Sequence, residues 1–344
     1  MIIGNFDTEK RCFIVAELSA NHNHNLDLAI KTIVAAKHSG ADAIKIQTYT
    51  PDTITIDCDN EYFRIGHGTP WDGKTLYQLY KEAYTPWEWH QKLFQVAAEE
   101  GLECFSSPFD KTAVDFLEQF NPPAYKIASF EINDIPLIKY AASKGKPIII
   151  STGIAELVDI ELAVSTCREV GNNKIILLKC TSSYPAQVDE ANLSTIADMR
   201  ERFNVAIGLS DHSIGLTVPL VAVSLGACII EKHLILDRAI GGPDSSFSLN
   251  PEEFRFMINS VREAEKALGE ITYSLSDKVR ASRKFSRSLF IVKNIKKGDA
   301  FTEENIRSIR PGDGLHTKFL TQILGRKASQ NLPKGTPLKW DLIN

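Results

Sequence analysis

From Phe13 to about Leu268 the chain repeats one unit: a short, mostly apolar run, a polar break, and a segment whose apolar positions recur at helical spacing. The runs occupy residues 13–16, 43–46, 103–105, 124–127, 147–150, 175–178, 205–207 and 227–230, and each reads as a buried strand. Amphipathic stretches such as 26–39 and 86–100 lie between them. Gly40, Gly101, Gly145, Gly171 and Gly226 stand where helix-terminating glycines belong, just ahead of the next strand. Eight βα units within about 250 residues predict a protein of the α/β class, a closed (β/α)8 TIM barrel rather than an open sheet.

Two departures from the repeat define the rest of the organisation. The connection 50–85, between the second strand and its helix, is long and rich in Asp, Gly, Tyr and Trp, which fits either a functional lid or a surface excursion. Beyond residue 274 the pattern changes to short runs with dense turn signals, among them Lys297-Gly298-Asp299, Gly325-Arg326 and Pro333-Lys334-Gly335. The expected division is a catalytic barrel over 1–270, a linker over 271–285 and a small β-rich domain over 286–344. That last domain is small enough that docking against something is expected.

Composition narrows the class. With 43% hydrophobic and 24% charged residues in 344, the chain is an ordinary folded one. A formal net charge of -4 leaves no cationic excess to neutralise a nucleic acid or a membrane surface, so neither is an expected partner. The first residues lack a signal-peptide pattern and no apolar stretch approaches the ~20 residues of a membrane span, which reads as cytoplasmic. Six cysteines without C-x-x-C spacing indicate neither disulfides nor a thiolate metal site.

In such barrels the chemistry sits at the C-terminal ends of the strands. Every run here ends in polar residues: Glu17; Lys45 and Gln47; Ser106 and Ser107; Lys126 and Ser129; Ser151 and Thr152; Thr181, Ser182 and Tyr184; Ser210, Asp211 and His212; Glu231 and His233. Two inward lysines with many hydroxyls suit a small dianion, phosphate or carboxylate. Alternatively Lys45 pairs with Glu17 or Glu231, and Lys126 either snorkels or serves as a Schiff-base nucleophile. His212 and His233 end adjacent strands and can converge on one ion, with Mn²⁺, Co²⁺ or Zn²⁺ favoured over Mg²⁺, or can form a hydrogen-bonded or general-base pair. His22, just past the first strand, is read as a substrate contact and His24 as a helix cap.

These residues carry a resemblance. Ile14-Val15-Ala16-Glu17-Leu18-Ser19-Ala20-Asn21-His22, Lys45-Ile46-Gln47-Thr48, Tyr125-Lys126-Ile127-Ala128-Ser129, Ser151-Thr152-Gly153, Gly208-Leu209-Ser210-Asp211-His212-Ser213, Glu231-Lys232-His233 and Gly242-Pro243-Asp244 resemble the sialic acid synthase family. The segment from Arg287 to Gly335 is similar to that family's C-terminal domain, itself like type III antifreeze protein (a SAF domain). Ser182, where sialic acid synthases carry Asn, and the runs Gly68-Thr69-Pro70-Trp71-Asp72-Gly73 and Tyr84-Thr85-Pro86-Trp87 look more like the pseudaminic acid synthase branch.

The resemblance implies condensation of phosphoenolpyruvate with an open-chain N-acetylated amino sugar and water. In that branch the sugar is 2,4-diacetamido-2,4,6-trideoxy-L-altrose, and the products are a nonulosonic acid and phosphate released by C–O cleavage. It further implies His212 and His233 as ligands of a divalent metal ion, Mn²⁺ first with Co²⁺ or Mg²⁺ as alternatives. Lys45, Lys126, Ser129, Ser151 and Ser210 match the groups that hold phosphoenolpyruvate, and Ser107 and His22 are further expected substrate contacts. Gln47, Ser182, Tyr184 and Asp244 match positions facing the sugar or metal-bound water, with Glu17 as the proton-transfer group. Arg287 would reach the sugar of a partner's barrel in a domain-swapped homodimer. The sugar's 6-methyl group calls for an apolar or aromatic wall. Competing readings are an N-acetylneuraminate or legionaminate synthase on the same scaffold, a Schiff-base aldolase using Lys126, and a sugar-binding protein without catalysis.

Overall fold

A short hairpin of β1 (Ile2–Ile3) and β2 (Phe6–Asp7) precedes β3 (Phe13–Glu17), β4 (Ala43–Thr48), β5 (Glu103–Pro108), β6 (Tyr125–Ile127), β7 (Ile148–Ser151), β8 (Ile175–Cys180), β9 (Ala206–Asp211) and β10 (Ile229–His233). The computed structural model describes residues 1–66, 68, 69 and 71–344, so Pro70 of the run 68–73 lies outside the described residues. Strands β3 to β10 are parallel and close into a barrel in chain order, β10 returning to β3 from Ile229 against Phe13 to His233 against Glu17. All eight strands fall where the apolar runs stand, and most extend further at the C-terminal end, because polar Glu17, Gln47, Ser107 and His233 continue the ladder.

Alternation along the strands sorts the side chains by face. Phe13, Val15, Ala43, Phe105, Ala124, Ile149, Ile176, Leu178 and Ile229 pack together as an inner apolar layer, joined by Ile3 from the hairpin. Two or four residues on, the same face carries Glu17, Lys45, Ser107, Lys126, Ser151, Ser210 and Glu231, all buried. The alternate positions, such as Ile14, Ala16, Ile44, Ile46, Ile127 and Ile150, face the helices and form the larger core between sheet and outer layer.

The helices begin and end on local signals. In Leu26–Ser39 the Asn25 side chain accepts from the Asp27 and Leu28 amides, Asp27 sits in the first turn and Lys37 in the last, and Gly40 closes the helix at φ 96°. Among its described residues the long connection forms two helices of its own, Pro51–Ile54 and Leu76–Ala83. The second is held by a reciprocal cap between Thr75 and Gln78.

The chain divides into two compact units, Met1–Gly269 and Glu270–Asn344. The second begins with a short helix, Asp277–Ser282, inside the stretch read as linker. It continues into β11 (Ser288–Ile291), paired antiparallel with β12 (Ile306–Ile309). Leu289, Ile291, Phe301, Ile306, Ile323 and Leu338 are among its core residues. Among the described residues no helix is long and apolar enough to cross a membrane.

Candidate active site

The polar strand ends line a cavity of about 190 Å³ at the C-terminal mouth of the barrel. At its floor four buried charges form a chain. Glu17 meets Lys45 Nζ at 2.8 Å, Lys45 lies 3.5 Å from Glu231 Oε1, and Lys126 lies 3.7 Å from the same oxygen. Lys45 also donates to Ser107 Oγ at 3.2 Å, Ser210 donates to Glu231 at 3.2 Å, and Gln47 donates to Glu17 at 3.1 Å. The two sequence alternatives for Lys45 therefore hold together: it pairs with both carboxylates and it lines the cavity.

Burial acts on all four charges, and pairing decides the outcome. Burial opposes the charge of Lys45, but Glu17 and Glu231 outweigh it and its pKa rises. Burial dominates for Lys126, whose pKa falls despite Glu231. Burial disfavours the Glu231 carboxylate, yet the two lysines hold its pKa below the usual value. Glu17 goes the other way, pushed up by burial against the pull of Lys45. Of the two acids, Glu17 is the one built to take a proton.

The histidines stand above this floor, their rings 5.3 Å apart. His212 Nδ1 lies 3.1 Å from the Thr181 carbonyl, so the proton belongs on Nδ1 and the Nε2 lone pair is left free. His233 Nδ1 is buried without a hydrogen bond and lies 3.8 Å from Asp244 Oδ2. Burial and then His212 push the His233 pKa well down, so its imidazole is neutral. Burial opposes the charge of His212, but Cys180 and the Thr181 carbonyl outweigh it and its pKa rises, so the two imidazoles differ in basicity. Among the described residues no three His, Cys, Asp or Glu side chains are gathered closely enough to hold an ion by themselves, so His212 and His233 would hold a divalent ion only together with substrate oxygens or water.

Behind the pair, on the outer face of the barrel, Lys232 is fully buried and binds Asp211 at 2.5 Å. Asp211 in turn accepts from the Ser213 amide at 2.9 Å. This ion pair ties β9 to β10 at the residues next to both histidines.

Other expected residues distribute plainly. Ser129, Ser151, Tyr184 and Asp244 line the cavity, Tyr184 with its ring 4.6 Å from that of His212. Ser129 Oγ accepts from the Gly153 amide, and a side chain at 153 would collide with Ser182 Oγ at 2.0 Å and Ser129 Oγ at 2.8 Å. That close approach explains the glycine in Ser151-Thr152-Gly153. Ser107 and Ser182 are outside the cavity lining. His22 is also outside it: fully buried, its Nε2 lies 3.1 Å from Thr85 Oγ1 and its Nδ1 accepts from the His24 amide, so both ring nitrogens are occupied. Arg287 belongs to the second unit, where it is exposed and donates to the Ser308 carbonyl.

Sequence reading passed over Glu131. It lies in a 3₁₀ turn, Ser129–Glu131, after the strand, and its carboxyl is pushed up to about 7 by burial. Six buried side-chain polar atoms lack a hydrogen-bond partner among the described residues. Three of them, Glu131 Oε2, Ser151 Oγ and His233 Nδ1, belong to residues of this one cavity, where Glu17 Oε2 is held instead by its ion pair with Lys45. Concentrated orphans at a strand-end mouth are what a polar, multiply charged ligand would satisfy.

A closed (β/α)8 barrel with lysines, carboxylates and two histidines at its C-terminal mouth defines a barrel enzyme acting on a small anionic substrate. The chain belongs to the NeuB family, whose model matches residues 32–273, and a SAF domain matches residues 286–344. It is 51% identical over 339 residues to a pseudaminic acid synthase of Campylobacter jejuni, covering 98% of each chain. It is 49% identical to a pseudaminic acid synthase of Helicobacter pylori, over 96% of this chain and 97% of that one. The crystal structure of an N-acetylneuraminic acid (sialic acid) synthetase from Leptospira borgpetersenii in complex with citrate matches with a TM-score of 0.73. It is 31% identical, over 82% of this chain and 94% of that one. These likenesses bear out the family and the branch read from the motifs.

Proposed function

We propose that this chain is a pseudaminic acid synthase: it joins phosphoenolpyruvate to 2,4-diacetamido-2,4,6-trideoxy-L-altrose with addition of water, releasing phosphate by C–O cleavage. The observation that carries the reading is the cluster of unpartnered polar atoms above a floor of paired lysines, in a chain about half identical to two pseudaminic acid synthases.

The residues divide the work. Lys45 and Lys126, with Ser129, Ser151 and Ser210, hold the phosphate and carboxylate of phosphoenolpyruvate, and exchange part of their pairing with Glu17 and Glu231 for it. Gln47, Tyr184 and Asp244 orient the sugar so that its aldehyde carbon faces C3 of the enol. As C3 bonds to that carbon, positive charge develops at C2, and the carboxylates of Glu17 and Glu231 face it. Glu17, whose pKa burial raises, takes the proton of the water that adds to C2; collapse of the resulting intermediate breaks the C2–O bond to phosphate. A divalent ion at His212 and His233, Mn²⁺ first with Co²⁺ or Mg²⁺ as alternatives, supplies Lewis acidity toward the sugar carbonyl when bound. Neither lysine needs to form a covalent adduct.

The assembly we propose is a domain-swapped homodimer in the cytoplasm, residues 271–285 acting as the tether and Arg287 completing the partner's sugar site. Its support is a run of exposed apolar residues following β6 to β9: Phe130, Ile154, Leu157, Val158, Val188 and Ile214. A water-soluble barrel would leave so apolar a rim exposed only if something covers it.

Phosphate release from phosphoenolpyruvate in the presence of Mn²⁺ tests the reaction. Release with the altrose sugar that stops on adding chelator is expected. Preference for N-acetylmannosamine would return the chain to sialic acid synthesis, and a borohydride-trapped adduct at Lys126 would replace this mechanism with an aldolase.

A further inference from the structure

The cavity has two chemically distinct halves. Its floor carries the charges, and its outer wall on one side is built by the 50–85 excursion, which contributes Ile54, Trp71, Leu79, Tyr80 and Ala83. Trp71 crosses to the opposite side. Its Nε1–H donates to the Pro243 carbonyl at 3.0 Å and its ring lies 5.5 Å from Tyr184. The one polar atom of Trp71 is therefore consumed by the protein, and what remains for a ligand is an apolar face. Of the other four side chains only Tyr80 carries a polar atom, and its ring packs edge-on against buried Tyr49 at 5.7 Å.

We infer that this wall, with Trp71 as its closing residue, is the specificity determinant that reads the terminal carbon of the sugar, selecting a 6-deoxy chain over its 6-hydroxy counterpart. The inference rests on the reading of the reaction given above. The aldehyde end must lie over the floor, where C3 of phosphoenolpyruvate can reach it, so an extended acceptor projects its far end toward the excursion. A terminal methyl group there leaves water for apolar contact. A terminal hydroxyl would surrender its water and meet Ile54, Leu79, Ala83 and a tryptophan whose donor is already engaged, with the Tyr80 hydroxyl as the one polar atom among the five side chains that could partly replace that water. An apolar pocket rejects an added hydroxyl only moderately, so the expected preference is about 10²-fold in kcat/KM.

The experiment compares kcat/KM for the 2,4-diacetamido-2,4,6-trideoxy sugar and the same sugar with a 6-hydroxyl, in the full-length wild type, Trp71→Ala, Trp71→Phe and Leu79→Asn. Phosphoenolpyruvate affinity is followed calorimetrically. The expected result is a preference of about 10²-fold in wild type and Trp71→Phe, falling below about tenfold in Trp71→Ala and Leu79→Asn, at unchanged phosphoenolpyruvate affinity. A preference that survives in Trp71→Ala, or in Leu79→Asn should Trp71→Ala no longer bind phosphoenolpyruvate, overturns the inference. If wild type turns over neither sugar, the reaction itself is misread, and no variant is needed to see it.

Discussion

The lower and upper halves of the barrel interior are built by the same eight strands, yet they are chemically opposite. On β3 the inward positions run Phe13, Val15, Glu17; on β10 they run Ile229, Glu231, His233. The lower layer is self-sufficient, because packed apolar side chains need nothing further. The upper layer is neutral only through the chain Glu17, Lys45, Glu231, Lys126, and it keeps orphaned atoms that the protein leaves unsatisfied. Stability concentrates in one layer and reactivity in the next, a few residues apart on the same strands.

The contrast can be broken from either side. Lys45→Met should have the largest effect, because it leaves the buried Glu17 carboxylate without its cation and Glu231 with Lys126 alone. Loss of about 3–5 kcal/mol in urea denaturation is expected, together with a fall of about 10²–10³ in phosphate release. Phe13→Ala, in the lower layer, should cost about 3–5 kcal/mol in the same denaturation while leaving turnover per folded molecule unchanged. A matching loss of turnover would show that the layers are not separable.

Glu131 sharpens the comparison through pH. Its folded pKa of about 7 lies above the usual carboxyl value of 4.5, so the folded state holds the proton more tightly. The group's contribution is therefore most favourable below about 4.5 and is lost as pH rises through about 7. Relative to wild type, Glu131→Gln should gain up to about 3 kcal/mol between those limits, as read by denaturation at several pH values. Parallel pH curves for the two proteins would mean that the carboxyl is not buried as described.

Much of this was legible beforehand. The eight runs marked the strands because a barrel strand covered on both faces must be continuously apolar until its functional end. The polar strand ends, from Glu17 to His233, marked the mouth for the same reason. Glu231 was visible as a polar strand end and a partner for Lys45; that it also faces Lys126 depends on three strands meeting. Glu131 escaped because Ser-Phe-Glu-Ile-Asn-Asp gives no sign in sequence that the carboxyl of this half-buried residue lines the cavity, which only the tertiary fold decides. The place of His22 outside the cavity lining was hidden for the converse reason: a histidine beside a strand end can be engaged by a neighbour such as Thr85, which lies 63 residues away in sequence. The hairpin at residues 2–7 left no periodic signal, since two-residue strands carry none.

That hairpin bears on how molecules queue. Ile3 joins the inner layer and packed side chains fill the lower barrel, so the cavity is closed on that side. A pocket filled from below works as a well. On the proposed reaction, phosphoenolpyruvate held by the lysines would lie beneath the sugar, and free phosphate, sharing its dianionic chemistry, is expected to compete for the same floor.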